Sequence, residues 1–237
     1  MKDNSLIQLG AACALLASAV YFMAGLLFIL LPDEQKSMNA LARFLPSFAQ
    51  NPSIYLLFAC ALALASLLSI IASRAVLEVM RPLSDGWVIS MTYVAMLGFA
   101  LMVIDAFRTL SLQPGIAAAY VAGGDATKAA IAATGSMLSL DPLGVLKLGG
   151  VGLWVFVLSV LILQGSTISR GLAFAGIVLA LLNCLQVGGA ISGITVVVST
   201  ATSLGYIVAT PLWFFWMGLI LRRSLSPSWN VQAMLAD

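Results

Sequence analysis

The chain has 237 residues, of which 62% are hydrophobic and only 8% are charged, and its 11 basic and 9 acidic side chains give a net charge of +2. A soluble domain usually carries about 25% charged residues. This chain therefore has too few polar side chains to cover a water-facing globule, which excludes a soluble enzyme, a disordered segment and a disulfide-built mini-protein. The composition predicts an all-α polytopic transmembrane helix bundle that forms one domain over residues 1–237.

Six apolar runs are long enough for a spanning helix, which needs about 20 residues. They cover residues 6–31, 53–73, 86–107, 142–163, 171–190 and 204–221. The last two share an uncharged stretch between Arg170 and Arg222, so five spans is the alternative count. Residues 191–203 are rich in Gly, Ser and Thr and are predicted to form the turn between them. The unbroken length of the first run favours a retained span over a cleaved signal peptide.

Each of the two longer loops is predicted to contain a short helix that lies in the membrane interface. In the first loop, four residues before Pro46 follow helical spacing: Met38, Leu41, Ala42 and Leu45. Pro46 is expected to end that helix. In the second loop, residues 126–138 are rich in alanine and follow Asp125, a potential N-cap. These helices either shield the ends of the spans or form a lid or docking face.

The distribution of Lys and Arg predicts the orientation, because basic residues in short loops stay in the cytoplasm. With six spans, one side of the membrane holds Lys2, Arg74, Arg81, Arg170, Arg222 and Arg223, and the other holds Lys36, Arg43, Arg108 and Lys128. We therefore expect both termini in the cytoplasm. The two loops with short helices then face outward.

Charged residues inside apolar runs are the first candidate site. Asp105 lies near the end of the third run, and Lys147 lies near the start of the fourth. Arg108 follows Asp105 at i+3 on the same helical face. An ionisable residue in a span needs a partner or water, so these three are expected to cluster at the outer mouth of the bundle. They form either a structural ion pair or the floor of a polar cavity.

Two amides in the fifth run, Asn183 and Gln186, are the second candidate feature. They are three positions apart and lie past the middle of that span. Such amides usually form hydrogen bonds between helices. Alternatively, they line the same outer cavity as Lys147.

Small residues recur at four-residue spacing in two runs, which permits close approach of helix backbones. They are Gly10, Ala14 and Ser18 in the first run, and Gly171, Ala175, Gly176 and Ala180 in the fifth. This pattern indicates either packing within the bundle or a homodimer interface. Pro211 predicts a kink in the sixth run.

The sequence contains no histidine, which excludes His-based catalysis and His ligation of haem or zinc. Cys13, Cys60 and Cys184 lie in three separate apolar runs without C-x-x-C spacing and are predicted to be small buried hydrophobes. Acidic residues show no metal-ligand spacing. We expect no metal and no cofactor, and no nucleic-acid partner because no polybasic tract occurs.

Short stretches of the chain resemble a bacterial multi-span membrane family catalogued as a domain of unknown function. The stretches are Asp141-Pro142-Leu143-Gly144, Ser169-Arg170-Gly171-Leu172, Pro211-Leu212-Trp213 and Trp216-Met217-Gly218 followed by Arg222-Arg223. The resemblance covers nearly the whole chain. It implies a multi-span fold and a bacterial inner-membrane location, and it implies no active site.

These features favour a non-enzymatic membrane protein over an enzyme. The first hypothesis is an accessory or scaffold subunit that packs against itself or a larger membrane complex, with membrane lipids around it. The second is a small-molecule or ion-binding membrane protein or transporter that uses Asp105, Arg108, Lys147, Asn183 and Gln186. The third and least favoured is a lipid-modifying membrane enzyme.

Overall fold

The computed structural model describes residues 4–36, 41–134, 139–165 and 168–226, and no strand occurs within these ranges. The helices are α1 (Asn4–Leu30), α2 (Leu41–Gln50), α3 (Ser53–Met80), α4 (Asp85–Ala122), α5 (Asp125–Thr134), α6 (Val151–Gly165), α7 (Arg170–Ser192), α8 (Thr195–Leu204) and α9 (Thr210–Arg223). Two π-helical turns, Val145–Gly150 and Gly205–Ala209, lead directly into α6 and α9.

Six helical segments within the described ranges are long and apolar enough to cross a membrane. They are Asn4–Leu30, Ser53–Leu83, Gly86–Ala122, Val145–Gln164, Arg170–Ser192 and Thr195–Arg223. The predicted all-α bundle with six spans is confirmed. The two predicted loop helices are present as α2 and α5, although Met38 and residues 135–138 lie outside the described ranges.

The second span runs further than predicted. α3 continues past Ser73 to Met80. Arg74 and Glu78 form an ion pair one turn apart in this part of the helix, with 2.6 Å between Arg74 Nη1 and Glu78 Oε1. Such i,i+4 pairs of opposite charge stabilise a helix, so these charges are compatible with its continuation.

The predicted helix end at Pro46 is wrong, because α2 continues through this proline to Gln50. Helix α4 also continues beyond Phe107, the predicted end of the third span, and through Pro114 to Ala122. A proline removes one backbone hydrogen bond and crowds the preceding turn. Packing offsets this loss: Ala117, beyond Pro114 on α4, is buried in the same apolar cluster as Phe44 and Phe48 of α2. The C-terminal part of α4 therefore forms a wall beside α2 instead of an irregular loop.

The predicted turn over residues 191–203 is much shorter in the structure. α7 ends at Ser192, and Gly193 adopts a left-handed conformation with φ of +70°. Glycine takes this conformation without strain and commonly ends helices. The chain is helical again from Thr195, so α8 and α9 together form the sixth span.

A wide turn precedes the proline of the sixth span. The Thr210 N–H bonds to the Gly205 carbonyl five residues back, which is the π-helical pattern. The Pro211 carbonyl accepts a hydrogen bond of 2.7 Å from Ser18 Oγ on α1. The sixth span is thus held to the first at the position where a kink is predicted.

The small-residue faces are used for packing within the bundle. A Cβ atom at Gly10 would collide with Ala75 on α3, and one at Gly176 would collide with Ser159 on α6. One cysteine, Cys13, is buried as predicted, but the prediction is wrong for Cys60 and Cys184, which are exposed on apolar helices.

Candidate binding cavity at the loop end of the bundle

A capped turn precedes the fourth span at the end of the bundle that carries α2 and α5, here called the loop end. Gly144 takes a left-handed φ of +71°. The Asp141 carboxylate accepts hydrogen bonds from three backbone N–H groups, those of Val145, Leu146 and Lys147, at 2.9, 2.8 and 2.8 Å. These are donors that the first turn of a helix leaves unpaired. Asp141 therefore fixes the π turn that carries Lys147.

An ion pair connects the third and fourth spans beside this turn. Lys147 Nζ donates a hydrogen bond to Asp105 Oδ2. Ser139 Oγ donates to the same carboxylate oxygen at 2.7 Å and accepts from Lys147 Nζ at 3.0 Å. The side chains of Lys147 and Asp105 are only 17% and 19% exposed. The second carboxylate oxygen, Asp105 Oδ1, is buried without a hydrogen-bond partner.

Arg108 lies on the same helix, one turn after Asp105, but it does not join the ion pair. No described acidic side chain forms a salt bridge with its guanidinium. Its Nη1 atom is buried and has no hydrogen-bond partner. A buried polar group that is left unpaired costs free energy, more so when it is charged. The predicted three-residue cluster is thus a pair with one cation beside it that lacks a partner.

These groups line a cavity of about 990 Å³. Ligand pockets usually measure about 300–1,000 Å³, so this cavity is at the large end of that range. Its charged and amide lining residues are Lys36, Asp105, Arg108, Gln113, Lys147 and Gln186. Gln113 is a buried amide on the part of α4 that follows Arg108.

Much of the remaining cavity lining is apolar and aromatic. It contains Phe28, Tyr55, Phe58, Leu62, Met102 and Tyr206. The rings contact one another: Phe58 lies 5.7 Å from Phe28, 6.1 Å from Tyr55 and 6.2 Å from Tyr206, measured between ring centroids. Aromatic contacts of this kind stabilise a fixed wall. The cavity therefore combines a polar side with a preformed apolar side.

Asp105 and Arg108 lie on the C-terminal half of α4, the longest of the described helices. α4 has 38 residues, which correspond to about 57 Å at a helical rise of about 1.5 Å per residue. The hydrocarbon core is only about 30 Å thick. Asp105 lies about 30 Å along α4 from its first residue on the same rise. The helix is therefore too long to lie wholly within the hydrocarbon.

The two predicted amides of the fifth span have different surroundings. Gln186 lines the cavity, and its Nε2 donates to the Ala201 carbonyl of α8 at 3.4 Å. Asn183 is buried against α6, where a Cβ atom at Gly152 would lie 2.9 Å from the Asn183 Cβ. The structure therefore brings Gln186 together with Lys147, Asp105 and Arg108, and leaves Asn183 in a helix contact.

Lys36 reaches the cavity from the first loop, but its charge is already paired. Lys36 Nζ donates to Asp33 Oδ1 at 2.8 Å. This hydrogen bond, together with the charge of the ammonium group, holds the pKa of the Asp33 carboxyl below its usual range. Lys36 is thus balanced by Asp33, as Lys147 is balanced by Asp105.

Sequence reasoning missed Ser139, Asp141 and Gln113 as parts of this site. Asp141 had a signal, since an acidic residue before Pro-Leu-Gly at the start of a span is typical of a helix N-terminus. Gln113 had none, because the predicted end of α4 at Phe107 placed it in a loop. Both π turns also contribute to the wall, through Lys147 and Tyr206, and π turns often occur at functional sites.

Among the described residues, no three His, Cys, Asp or Glu side chains come together in a way that could hold a metal ion. No protein-family model, curated protein or solved structure matches the chain. The resemblance to a bacterial membrane family stays a prediction. The structure establishes a multi-pass membrane protein with a polar–apolar cavity at its loop end.

Proposed function

We propose that this membrane protein binds a small molecule in the loop-end cavity. The observation that carries the proposal is the coincidence of a large cavity, a preformed aromatic wall and a lining arginine without a described acidic partner. Pockets of this kind, mostly apolar with a few convergent polar groups, are where small molecules bind. Binding by a transporter or by a sensor would use the same cavity.

The scaffold hypothesis loses one of its supports, the abundance of small-residue faces. Gly10 and Gly176 of those faces pack against Ala75 and Ser159 inside the bundle. A scaffold has no need for a cavity with unpaired Asp105 and Arg108 atoms. A homo-oligomer or a larger complex stays a prediction that rests on the lipid-facing surface alone.

The test compares a cavity-filling variant with a matched lipid-facing variant. Ala190 lines the cavity and is half-buried, whereas Ala19 is exposed on α1. We expect a total lipid extract of the expressing cells to raise the melting temperature of the wild type and of Ala19→Phe, but not that of Ala190→Phe. Stabilisation by a ligand at 100 times its Kd is about 2.7 kcal/mol. Native mass spectrometry should detect a bound small molecule in the first two proteins.

The proposal fails if the extract stabilises none of these proteins, or stabilises Ala190→Phe as much as the wild type. The first result means that no cellular small molecule binds. The second means that stabilisation comes from lipid around the bundle.

We further propose that both termini face the cytoplasm of a bacterial inner membrane, so that the cavity opens outward. The support is the excess of Lys and Arg in the short loops on the terminal side. Reporter domains fused to the C-terminus and inserted between Asn51 and Pro52 should report cytoplasmic and external locations, respectively. The same side for both reporters, or the reverse assignment, would contradict this orientation.

A further inference from the structure

We propose that the cavity binds an amphiphile with an anionic oxygen head, a carboxylate or a phosphate monoester, and that Arg108 holds this head. The inference rests on the proposed function and specifies the ligand class. It follows from the charge balance of the cavity and from the order of polar and apolar side chains along the helices.

The charge balance of the cavity leaves one positive charge without a partner. Three described cations line it, namely Lys36, Arg108 and Lys147. Lys147 is paired with Asp105, and Lys36 is paired with Asp33. Arg108 has no described acidic partner. Arg108 is half-buried, and a charge that is partly removed from water is stabilised by an opposite charge, so an anion is the ligand that completes this site.

The guanidinium group of Arg108 suits an oxyanion better than a simple halide. Its planar fork of donors matches the two oxygens of a carboxylate or phosphate. Arg108 lines the cavity, and no described acidic side chain pairs with its guanidinium.

The apolar wall fixes the position of the ligand's hydrocarbon part. α3 begins at the loop end, and from there Tyr55, Phe58 and Leu62 line the cavity in turn toward the membrane interior. Along α4 the order runs the other way, with Met102 deepest and Arg108 nearer the loop end. A hydrocarbon chain among Leu62 and Met102 thus places its head beside Arg108.

A cationic ligand fits the same geometry poorly. It would bring its charge close to Arg108, and the only carboxylate that lines the cavity within the described residues, Asp105, is already paired with Lys147. A neutral amphiphile would fill the apolar part but would leave the charge of Arg108 without a partner. The anion is therefore favoured by charge.

The experiment measures binding of four twelve-carbon probes to the full chain in phosphatidylcholine nanodiscs. The probes are dodecanoate, dodecyl phosphate, dodecanol and dodecyltrimethylammonium. The variants are Arg108→Gln and Arg108→Lys, with Arg43→Gln as the matched control, because Arg43 is exposed on α2 at the same loop end and does not line the cavity. Isothermal titration calorimetry gives the Kd of each probe for each protein, and melting curves without probe monitor folding.

We expect at least one anionic probe to bind the wild type at least tenfold more tightly than dodecanol does. Arg108→Gln should remove this advantage, Arg108→Lys should retain part of it, and Arg43→Gln should leave it unchanged. Preference for dodecanoate would assign a free carboxylate head, and preference for dodecyl phosphate would assign a phosphate head. Without probe, Arg108→Gln should melt at or above the wild-type temperature, because it removes a charge that has no partner.

Equal binding of dodecanol and both anionic probes, or an unchanged anion affinity in Arg108→Gln, would overturn the inference while leaving a binding cavity in place. Tighter binding of dodecyltrimethylammonium would also overturn it. A lower melting temperature for Arg108→Gln without probe would assign Arg108 a structural role and overturn it too. Failure of all four probes, together with equal behaviour of wild type and Ala190→Phe in the lipid extract, would instead remove the proposed function.

Discussion

Polar side chains in the packed region of the bundle and those at the loop-end cavity differ in their hydrogen-bond partners. In the packed region, where α6 and α7 pack against each other and against neighbouring spans, buried hydroxyls donate to their own helix. Thr92 Oγ1 donates to the Val88 carbonyl, and Ser159 Oγ donates to the Val155 carbonyl, both at 2.7 Å. At the loop-end cavity, Asp105 Oδ1 and Arg108 Nη1 are left without partners.

This difference distinguishes polar side chains that are satisfied within their own helix from charged side chains that need a partner outside it. A hydroxyl that donates to the carbonyl one turn earlier is satisfied without any tertiary partner, so it can sit wherever its size fits. A carboxylate and a guanidinium cannot be satisfied in this way inside a span. Their remaining hydrogen-bonding capacity is available only to each other, to water or to a ligand.

The largest expected loss of stability comes from a substitution in the packed region, where α7 contacts α6. Gly176→Leu would force a side chain into Ser159, and its Cβ would lie 3.0 Å from Trp213 Nε1. Overpacking typically costs about 1–3 kcal/mol, and we expect the upper end here because fixed atoms surround the site. The control is Gly188→Leu, on the same helix, where nothing lies within 4 Å of the position that a Cβ would take. Equal melting temperatures of the two variants in detergent would show that α7 is not tightly packed.

The next effect concerns the ion pair of the cavity. Asp105→Asn leaves Lys147 without a carboxylate and should cost about 2 kcal/mol, less than the 3–5 kcal/mol of a fully buried pair because both side chains are partly exposed. Lys147→Met should cost less, since Asp105 is still near Arg108. The double variant should recover most of the stability in melting experiments. A double variant as unstable as Asp105→Asn would contradict the pairing.

A smaller effect concerns the capped turn. Asp141→Ala removes the acceptor for three backbone N–H groups of the π turn, and loss of a helix cap typically costs about 1 kcal/mol. Asp141→Asn keeps one acceptor oxygen and should be intermediate. Melting curves of the three proteins check this order. If Asp141→Ala melts like the wild type, the turn does not depend on its cap.

The smallest effect concerns the exposed pair of the first loop. Because Lys36 lowers the pKa of Asp33, this carboxyl stabilises the fold above its unfolded pKa, and the contribution is lost as the pH falls through the lower folded pKa. Lys36→Met should raise the pKa of Asp33 toward its ordinary value, as measured by an NMR titration of that carboxyl. An unchanged titration would mean that the pair does not form in solution.

Much of the fold could be predicted because apolar run length and helical spans are directly related. The first and fifth predicted spans, residues 6–31 and 171–190, agree with Asn4–Leu30 and Arg170–Ser192 to within two residues. Predictions went wrong at Pro46 and in the Gly/Ser/Thr-rich stretch after Ala190. At Pro46, burial of Phe44, Leu45 and Phe48 against neighbouring helices outweighs the local preference. In the second case a single glycine, Gly193, is enough for the turn.

The candidate site could be predicted only in part. Asp105, Arg108 and Lys147 are conspicuous because charges are rare in spans, and Gln186 follows from its place in the fifth span. Ser139 and Gln113 give no such signal, since a serine and a glutamine in a predicted loop have no distinctive pattern. Their roles depend on where α4 ends and on how the turn at Asp141 folds back toward it.

The sequence by itself determined that this is an all-α membrane protein with six spans, because hydrocarbon demands long apolar helices whose backbone groups are satisfied internally. Only the tertiary structure decided which polar groups are paired. Asp105 pairs with Lys147, and Arg108 is left without a described acidic partner. The capped π turn after Asp141 brings Lys147 to the Asp105 carboxylate, although the two residues are 42 positions apart in the chain. Pairing between spans depends on helix ends and packing, which local sequence preferences do not specify.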